Sequence, residues 1–304
     1  MKVLVTGGDG FIGKHLVESL TTLGCDVVIT SRRRSTQSRE VPCISYRQVN
    51  YNDIAQLTSL FTNEQPDYVI HLASDKDRSS LSSIKSSKLL DEVINGTNVI
   101  YASASLPDLK RFIYIGTSDQ YDFSVENNGF PGCYTPANSY GFVKSMLSLL
   151  LTSLHRDSGF PVVQLVPTIV YGPGQGAEMF LPSLLQALIR GEEIEMTKGE
   201  QYRDFIYVSD LATAIIAALF TVTDECLGKT YSVCSGNPKQ LIDVVRLAVK
   251  ESKSDMKQIL VGKRPYRSGE SMEYFSNYDA FAKDANWAPV VSLEEGIQHI
   301  LGLE

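Results

Sequence analysis

Thr6-Gly7-Gly8-Asp9-Gly10-Phe11-Ile12-Gly13 follows directly on the β-branched run Val3–Thr6 and opens a stretch of helical periodicity that reaches Leu23. That context gives the Gly8, Gly10, Gly13 spacing its meaning, because the same G-x-G-x-x-G pattern away from a strand-to-helix junction is a weak signal. Glycine permits the tight turn, lets the backbone approach a pyrophosphate, and lets helix pack on strand. The helix start attracts phosphate through its unpaired N–H groups. The turn therefore reads as a dinucleotide seat, with Gly7, Gly10, Phe11, Ile12 and Gly13 binding the cofactor; an ordinary glycine turn is the plainer alternative.

Outward from the turn, short apolar runs recur at Val27–Thr30, Tyr68–Leu72, Phe112–Ile115 and Val162–Val166, separated by longer segments of helical periodicity. This is the pattern of a parallel sheet built from right-handed βαβ units. Continuous rather than alternating apolarity predicts strands covered by helices on both faces. The first helix should end at Gly24, a natural left-handed cap. The expected fold is α/β, a Rossmann-like doubly wound parallel sheet over residues 1–166 with a segment near 205–222 returning to it. Past Val166, Gly172-Pro173-Gly174 breaks the pattern and shorter elements follow through Gly191, Gly199 and Pro238. Residues 167–304 are expected to form mainly a smaller, substrate-binding lobe. No internal repeat is visible, and the serine-rich Ser79–Ser87 reads as a mobile segment or a helix entry.

At 304 residues and 43% hydrophobic content the chain can bury a substantial core. Its net charge of -7, without a basic tract apart from Arg32-Arg33-Arg34, argues against nucleic acid as a main partner. A local basic pocket for a small anion is still allowed. The five cysteines, Cys25, Cys43, Cys133, Cys226 and Cys234, are widely spaced and include no C-x-x-C pair. They read as reduced core thiols of a cytosolic protein with no metal site. Met1–Val5 runs straight into the glycine turn, so no signal peptide is expected, and no apolar run reaches the roughly 18 residues of a membrane span. The expected location is cytoplasmic.

Tyr140 and Lys144 stand four residues apart and so share a helix face. An ammonium beside a phenol favours the phenolate and brings its pKa from about 10 towards neutrality, which makes an acid/base for cellular pH. Alone, the pair reads equally as a packed Tyr and a snorkelling Lys. The surrounding helix is apolar almost all round, with Phe142, Val143, Met146, Leu147, Leu149, Leu150, Leu151 and Leu154. That predicts a homodimer packed through this helix, or else burial beneath the chain's own second lobe. About twenty residues past the turn, where an NAD enzyme carries an acid, stand Thr30-Ser31-Arg32-Arg33-Arg34. Ser31 and Arg32 then favour a 2′-phosphate and hence NADP, with NAD possible and a solvated arginine loop the bland alternative.

Together these residues resemble the extended short-chain dehydrogenase/reductase family, in its nucleotide-sugar epimerase, dehydratase and ketoreductase branch. The resemblance spans nearly the whole chain. It adds His71-Leu72-Ala73, Asn95-Gly96-Thr97, Gly116-Thr117-Ser118-Asp119-Gln120-Tyr121, Val170-Tyr171-Gly172-Pro173-Gly174, Gln201-Tyr202-Arg203-Asp204-Phe205-Ile206-Tyr207-Val208-Ser209-Asp210 and Asn286-Trp287-Ala288-Pro289. The resemblance implies that Thr117, Tyr140 and Lys144 are the catalytic set and that Lys144 also binds the nicotinamide ribose. It adds cofactor contacts at Asn50, Tyr51, Leu72 and Ala73. Thr117 and Ser118 would meet the sugar, while Arg203 and the Arg267-Ser268-Gly269-Glu270 segment would hold the diphosphate of a nucleotide-sugar substrate.

Three departures qualify this. Asn50 replaces a common Asp beside the adenine, and Val166 with Ile169 replace a frequent Arg and Asn ahead of Val170-Tyr171-Gly172. Asp119 stands where 4,6-dehydratases of the family carry Glu, one methylene longer. The leading expectation is an NADP(H)-dependent reductase of a nucleotide-linked 4-keto-6-deoxyhexose, in which Tyr140 protonates the oxygen that Thr117 orients. The alternatives are a nucleotide-sugar 4-epimerase, a 4,6-dehydratase with Asp119 as base, or a non-catalytic NADP-sensing protein on the same fold.

Overall fold

The computed structural model describes residues 1–32, 42–74, 86–121, 134–136, 138–267 and 270–303. Arg33, Arg34, Cys133, Ser268, Gly269 and positions 79–85 of the serine-rich stretch lie outside the described residues.

The first half alternates strand and helix: β1 (Lys2–Thr6), α1 (Phe11–Thr22), β2 (Asp26–Ser31), β3 (Ile44–Gln48), α2 (Ile54–Glu64), β4 (Tyr68–His71), α3 (Ser86–Ala104), β5 (Arg111–Ile115), α4 (Ser139–Ser158) and β6 (Val162–Pro167). The second half has shorter elements: β7 (Ile169–Tyr171), α5 (Phe180–Arg190), β8 (Ile194–Met196), β9 (Tyr202–Arg203), β10 (Phe205–Tyr207), α6 (Val208–Phe220), β11 (Thr230–Val233), β12 (Lys239–Gln240), α7 (Leu241–Glu251), β13 (Ile259–Val261), β14 (Glu273–Tyr274), α8 (Asp279–Ala285) and α9 (Leu293–Leu301).

Seven strands make one parallel sheet in the order β11-β6-β5-β4-β1-β2-β3. Successive side chains on a strand point to opposite faces, so each central strand feeds two cores. Val3 and Val5 join Leu16 and Leu20 of α1 and Leu211 and Ile215 of α6 on one face. Leu4, Phe112 and Tyr114 join Phe61 of α2, Ile100 of α3 and Leu147 of α4 on the other. Each fully buried aliphatic side chain contributes roughly 1.5–3 kcal/mol of transfer free energy, which is why the central strands read as unbroken apolar runs.

The edge strand β3 is half-buried or exposed throughout, and Ser45, Arg47 and Gln48 leave it no apolar run. The chain returns to this sheet three times after β6. Helix α6 packs on α1, and buried Arg111 fastens it by donating through Nη1 to the carbonyls of Ala218, Leu219 and Val222. A cation at the carbonyl end of a helix meets acceptors that have no partner within it. Strand β11 adds the last strand, and α8 covers it with Phe281, on which Trp287 packs just past the helix. Around α5, α7 and α9 a third core gathers Leu184, Leu188, Val245, Ala248 and Ile297.

Four of the cysteines are free thiols; Cys25, Cys226 and Cys234 are buried, but Cys43 is exposed. Cys43 is therefore no core thiol, because it leads into the edge strand β3 at a positive φ of 67°. Among the described residues no helix is long and apolar enough to cross a membrane, and no three His, Cys, Asp or Glu side chains are grouped to hold a metal ion.

Candidate active site

Strand order reverses between β1 and β4, and in sheets of this kind a ligand crevice opens at the carboxyl ends there. Gly7 lies at that point with φ 72°, and a Cβ on it would come within 2.9 Å of the Ala73 backbone nitrogen. A Cβ on Gly13 would lie 2.3 Å from the Gly7 carbonyl oxygen, so only glycine lets α1 start this close to the turn. Thr6 Oγ1 accepts the Ala73 N–H at 3.2 Å and bonds His71 Nδ1 at 2.7 Å, tying the two strand ends together. Burial pushes the His71 imidazole down to about 3, which keeps the ring neutral.

The crevice is a cavity of about 280 Å³. It is lined by Gly7, Gly10, Phe11, Ile12 and Gly13 of the turn and the start of α1, by Ser31 and Arg32 at the end of β2 with Tyr51 bonded to Thr30 beside them, and by Leu72 and Ala73 after β4. Asn50 is not among the lining residues; it is exposed, with its N–H given to Gln56 and its side-chain oxygen accepting from Asn52. Asp9, given no role in the glycine turn on sequence alone, also lines the cavity. Ser31 Oγ donates to Asp9 Oδ2 at 2.7 Å, and Arg32 stands 3.8 Å from Glu92 of α3. The Ser31 hydroxyl and the Arg32 cation, expected to await a 2′-phosphate, thus each have a carboxylate beside them. With no side-chain cap on the start of α1 and with Gly7, Gly10 and Gly13 letting a ligand approach the backbone, the cavity fits the pyrophosphate of a dinucleotide.

Thr117 follows β5 and caps a single 3₁₀ turn, Ser118–Gln120. Its Oγ1 accepts the Asp119 N–H, while its own N–H goes to Gln120 Oε1 at 2.8 Å. Gln120 is fully buried and continues to Ser148 of α4 at 3.1 Å. The Thr117-x-x-Gln120 spacing is a capping-box signature, so Gln120 was findable in the sequence. Helix α4 presses on this turn, since a Cβ on Gly141 would fall 2.0 Å from the Asp119 carbonyl oxygen. Tyr140, one residue earlier, is thereby placed at the turn that carries Thr117 and Asp119.

Lys144, one helical turn further and 2% exposed, donates to the Ile115 carbonyl at 2.7 Å. Its Nζ lies 4.9 Å from the Tyr114 ring centre and 5.8 Å from that of Tyr140. Desolvation pushes the amine down to about 8, against the pull of the Glu92 carboxylate.

From the opposite side, β9 and β14 pair in parallel with Arg203 opposite Tyr274. Arg203 Nη2 bonds Glu270 Oε1 at 2.5 Å, and its guanidinium lies 5.6 Å from the Tyr274 ring centre. Arg203 and Glu270 are therefore together, whereas Arg267 is exposed and its carbonyl accepts the Glu270 N–H at 3.1 Å. Tyr274 itself escaped the sequence reading. Its hydroxyl donates to Asp119 Oδ1 at 2.8 Å and bonds Ser118 Oγ, across 155 positions of chain that no local pattern connects.

The chain matches the pattern of the NAD dependent epimerase/dehydratase family over residues 3–234. It is 28% identical to the dTDP-glucose 4,6-dehydratase of Shigella flexneri, covering 98% of this chain and 91% of that one. With the enzyme of the same name from Haemophilus influenzae it shares 26% identity over 98% of this chain and 96% of the relative. Among solved structures, the UDP-glucose 4-epimerase of Thermotoga maritima superposes with a TM-score of 0.84 at 24% identity, covering 100% and 98% of the two chains. The dTDP-glucose 4,6-dehydratase of Bacillus anthracis gives 0.86 at 18% identity over 100% and 96%; these two likenesses speak for the fold. By its glycine turn, its Tyr140–Lys144 helix and the match over most of its length, the chain belongs to the NAD dependent epimerase/dehydratase family.

Proposed function

We propose that this chain oxidises a nucleotide-linked hexose transiently at one sugar carbon and removes water next to it, the chemistry of a 4,6-dehydratase. The observation that carries this reading is the Asp119 carboxylate, held by Tyr274 on the same turn as Thr117, with the backbone of that turn packed against the first turn of α4. Tyr140 takes the proton of the sugar hydroxyl, Thr117 holds that oxygen, and Lys144 steadies Tyr140 from beneath. A bound nicotinamide dinucleotide would accept the sugar's hydride and give it back. Asp119 takes the proton from the carbon next to the new carbonyl, so that hydroxide can leave from the following carbon. Arg203 and Arg267 supply cations for the diphosphate, with Glu270 the ion-pair partner that orients Arg203. The relatives at 24–28% identity support this reading over the 4-keto-sugar reductase that leads on sequence alone.

The cofactor we assign is NAD, held by Gly7, Gly10, Phe11, Ile12 and Gly13 at the pyrophosphate and by Lys144 at the nicotinamide ribose. Asp9 supplies, from the turn, the acid missing at the end of β2, and a carboxylate there disfavours a 2′-phosphate. The second reading, an NADP(H)-dependent reductase, rests on Ser31 and Arg32 lining the same cavity. Incubating the NAD-loaded protein with a panel of nucleotide hexoses separates the two. Loss of water without net cofactor consumption supports the first; consumption of NADPH on a 4-keto sugar, with no water loss from any parent hexose, overturns it.

We also propose a homodimer through α3 and α4. Met146 and Leu149 of α4 are 40% and 54% exposed, and Leu90, Ile94 and Tyr101 of the adjoining α3 are 58%, 44% and 60% exposed. These are helical-face spacings that the chain's own second lobe leaves uncovered.

A further inference from the structure

Tyr274 joins two parts of the site that the sequence keeps far apart. A phenol has one proton, and an ionised carboxylate only accepts. With the Tyr274 hydroxyl donating to Asp119 Oδ1, the bond between Tyr274 and Ser118 must run from Ser118 Oγ to the phenol oxygen. The result is a directed chain, Ser118 to Tyr274 to Asp119, that starts and ends on the one turn capped by Thr117. Its middle member belongs to β14, whose partner β9 carries Arg203. The guanidinium lies by the ring of Tyr274 and is paired with Glu270. The hydrogen bond from Tyr274 thus couples the position of β9 and β14 to the Asp119 carboxylate.

We propose that Tyr274 is a positioning residue for proton transfer at Asp119, fixing the orientation of that carboxylate and linking it to the strand pair that bears Arg203. The proposal rests on Asp119 acting as the base. An Asp is one methylene shorter than the Glu of related dehydratases, so its reach depends on being held in one orientation, and a misplacement of about 1 Å costs about 10² in rate. A contact that merely joins two lobes would instead affect stability and leave turnover alone.

The test uses the full chain loaded with NAD and a nucleotide hexose from which the wild type removes water. Tyr274→Phe keeps the ring and deletes the hydroxyl. It should lower kcat for water loss by about 10² and leave KM within about twofold, with reduced nicotinamide still forming on substrate addition. Calorimetric binding of the nucleoside diphosphate should be unchanged in Tyr274→Phe and weakened in Arg203→Ala. In an Asp119→Asn background the Tyr274→Phe change should add nothing further, because residues acting as one unit are not additive. Normal turnover in Tyr274→Phe with a lowered melting temperature overturns the proposal, as does a change confined to KM. If Asp119→Asn leaves water loss intact, or the wild type removes water from no nucleotide hexose, it is the reading of Asp119 as base that fails, and the proposal falls with it. Loss of water elimination in Asp119→Asn beside normal elimination in Tyr274→Phe sinks the positioning role alone.

Discussion

Lys144 Nζ donates a 2.7 Å hydrogen bond to the carbonyl of Ile115, the last residue of β5. That bond fixes the start of α4 to the strand that leads through Gly116 into Thr117, so the helix of Tyr140 and the turn of Thr117 share one anchor. The cation has otherwise little to solvate it, with the rings of Tyr114 and Tyr140 nearby, and its amine is pushed down to about 8. In the unfolded chain a lysine titrates near 10.4. Between these values the unfolded state binds the additional proton, so stability rises as pH climbs from about 8 to about 10.5, and below about 8 the cost of the buried charge is felt in full. The window is worth roughly 3 kcal/mol at about 1.4 kcal/mol per unit. Denaturation of wild type and Lys144→Met without cofactor, across that range, should show wild type gaining on the variant. A flat difference would mean that Lys144 keeps its ordinary titration.

Tyr140→Phe removes the transferable proton and keeps the ring. The rate should drop by about 10² or more, with cofactor affinity nearly unchanged. Loss of folding along with activity would instead mark the phenol as structural.

Asp9 and Arg32 make opposite claims on the cofactor's adenosine ribose. Because Ser31 already points its hydroxyl at Asp9, the carboxylate is held at the cavity wall, and a hydrogen bond to a charged group contributes roughly 1.5–3 kcal/mol. Asp9→Ala should therefore weaken NAD about tenfold or more and narrow the gap to NADP, measured by titration calorimetry. Wild-type protein that binds NADP at least as tightly as NAD would refute the assignment and restore the reading drawn from Ser31 and Arg32.

The strands whose apolar runs mark them in the sequence, β1, β2, β4, β5 and β6, are those inside the sheet, where period-2 alternation vanishes and apolar residues run on. β3 and β11 leave no such mark. They are the two edges of the sheet; β3 is half-buried or exposed, and in β11 Thr230 and Ser232 interrupt the apolar run, so it becomes a strand by pairing with β6. In the site, the glycine turn and the Tyr140–Lys144 helix are local patterns and were legible. Tyr274 was not, since β14 is two residues long and exists through its pairing with β9. Asp9 was passed over for another reason. A motif reading attends to the glycines, whereas the cavity wall also records what stands between them.

Met146 and Leu149 on α4, with Leu90, Ile94 and Tyr101 on α3, leave an apolar surface that a second copy would cover. Leu149→Arg should turn a dimer into a monomer in sedimentation while the far-ultraviolet circular dichroism stays the same. A wild type that sediments as a monomer at all concentrations would rule the dimer out.

Asp119 decides between the two enzymatic readings. If the carboxylate removes the proton beside the new carbonyl, Asp119→Asn leaves nothing to accept it, and water loss should fall by about 10² to 10⁴. Oxidation of the sugar through Tyr140 and Thr117 needs no second base, so reduced nicotinamide should still form when substrate is added. In a reductase the same change should leave most of the activity, because hydride delivery and protonation by Tyr140 complete the reaction without Asp119. The assay is accordingly paired: loss of water from the parent nucleotide hexose, followed by mass spectrometry, and NADPH oxidation on a 4-keto sugar, in wild type and variant. Elimination that survives in Asp119→Asn would remove the carboxylate from the mechanism, and NADPH oxidation that survives without any elimination in the wild type would return the protein to the reductases.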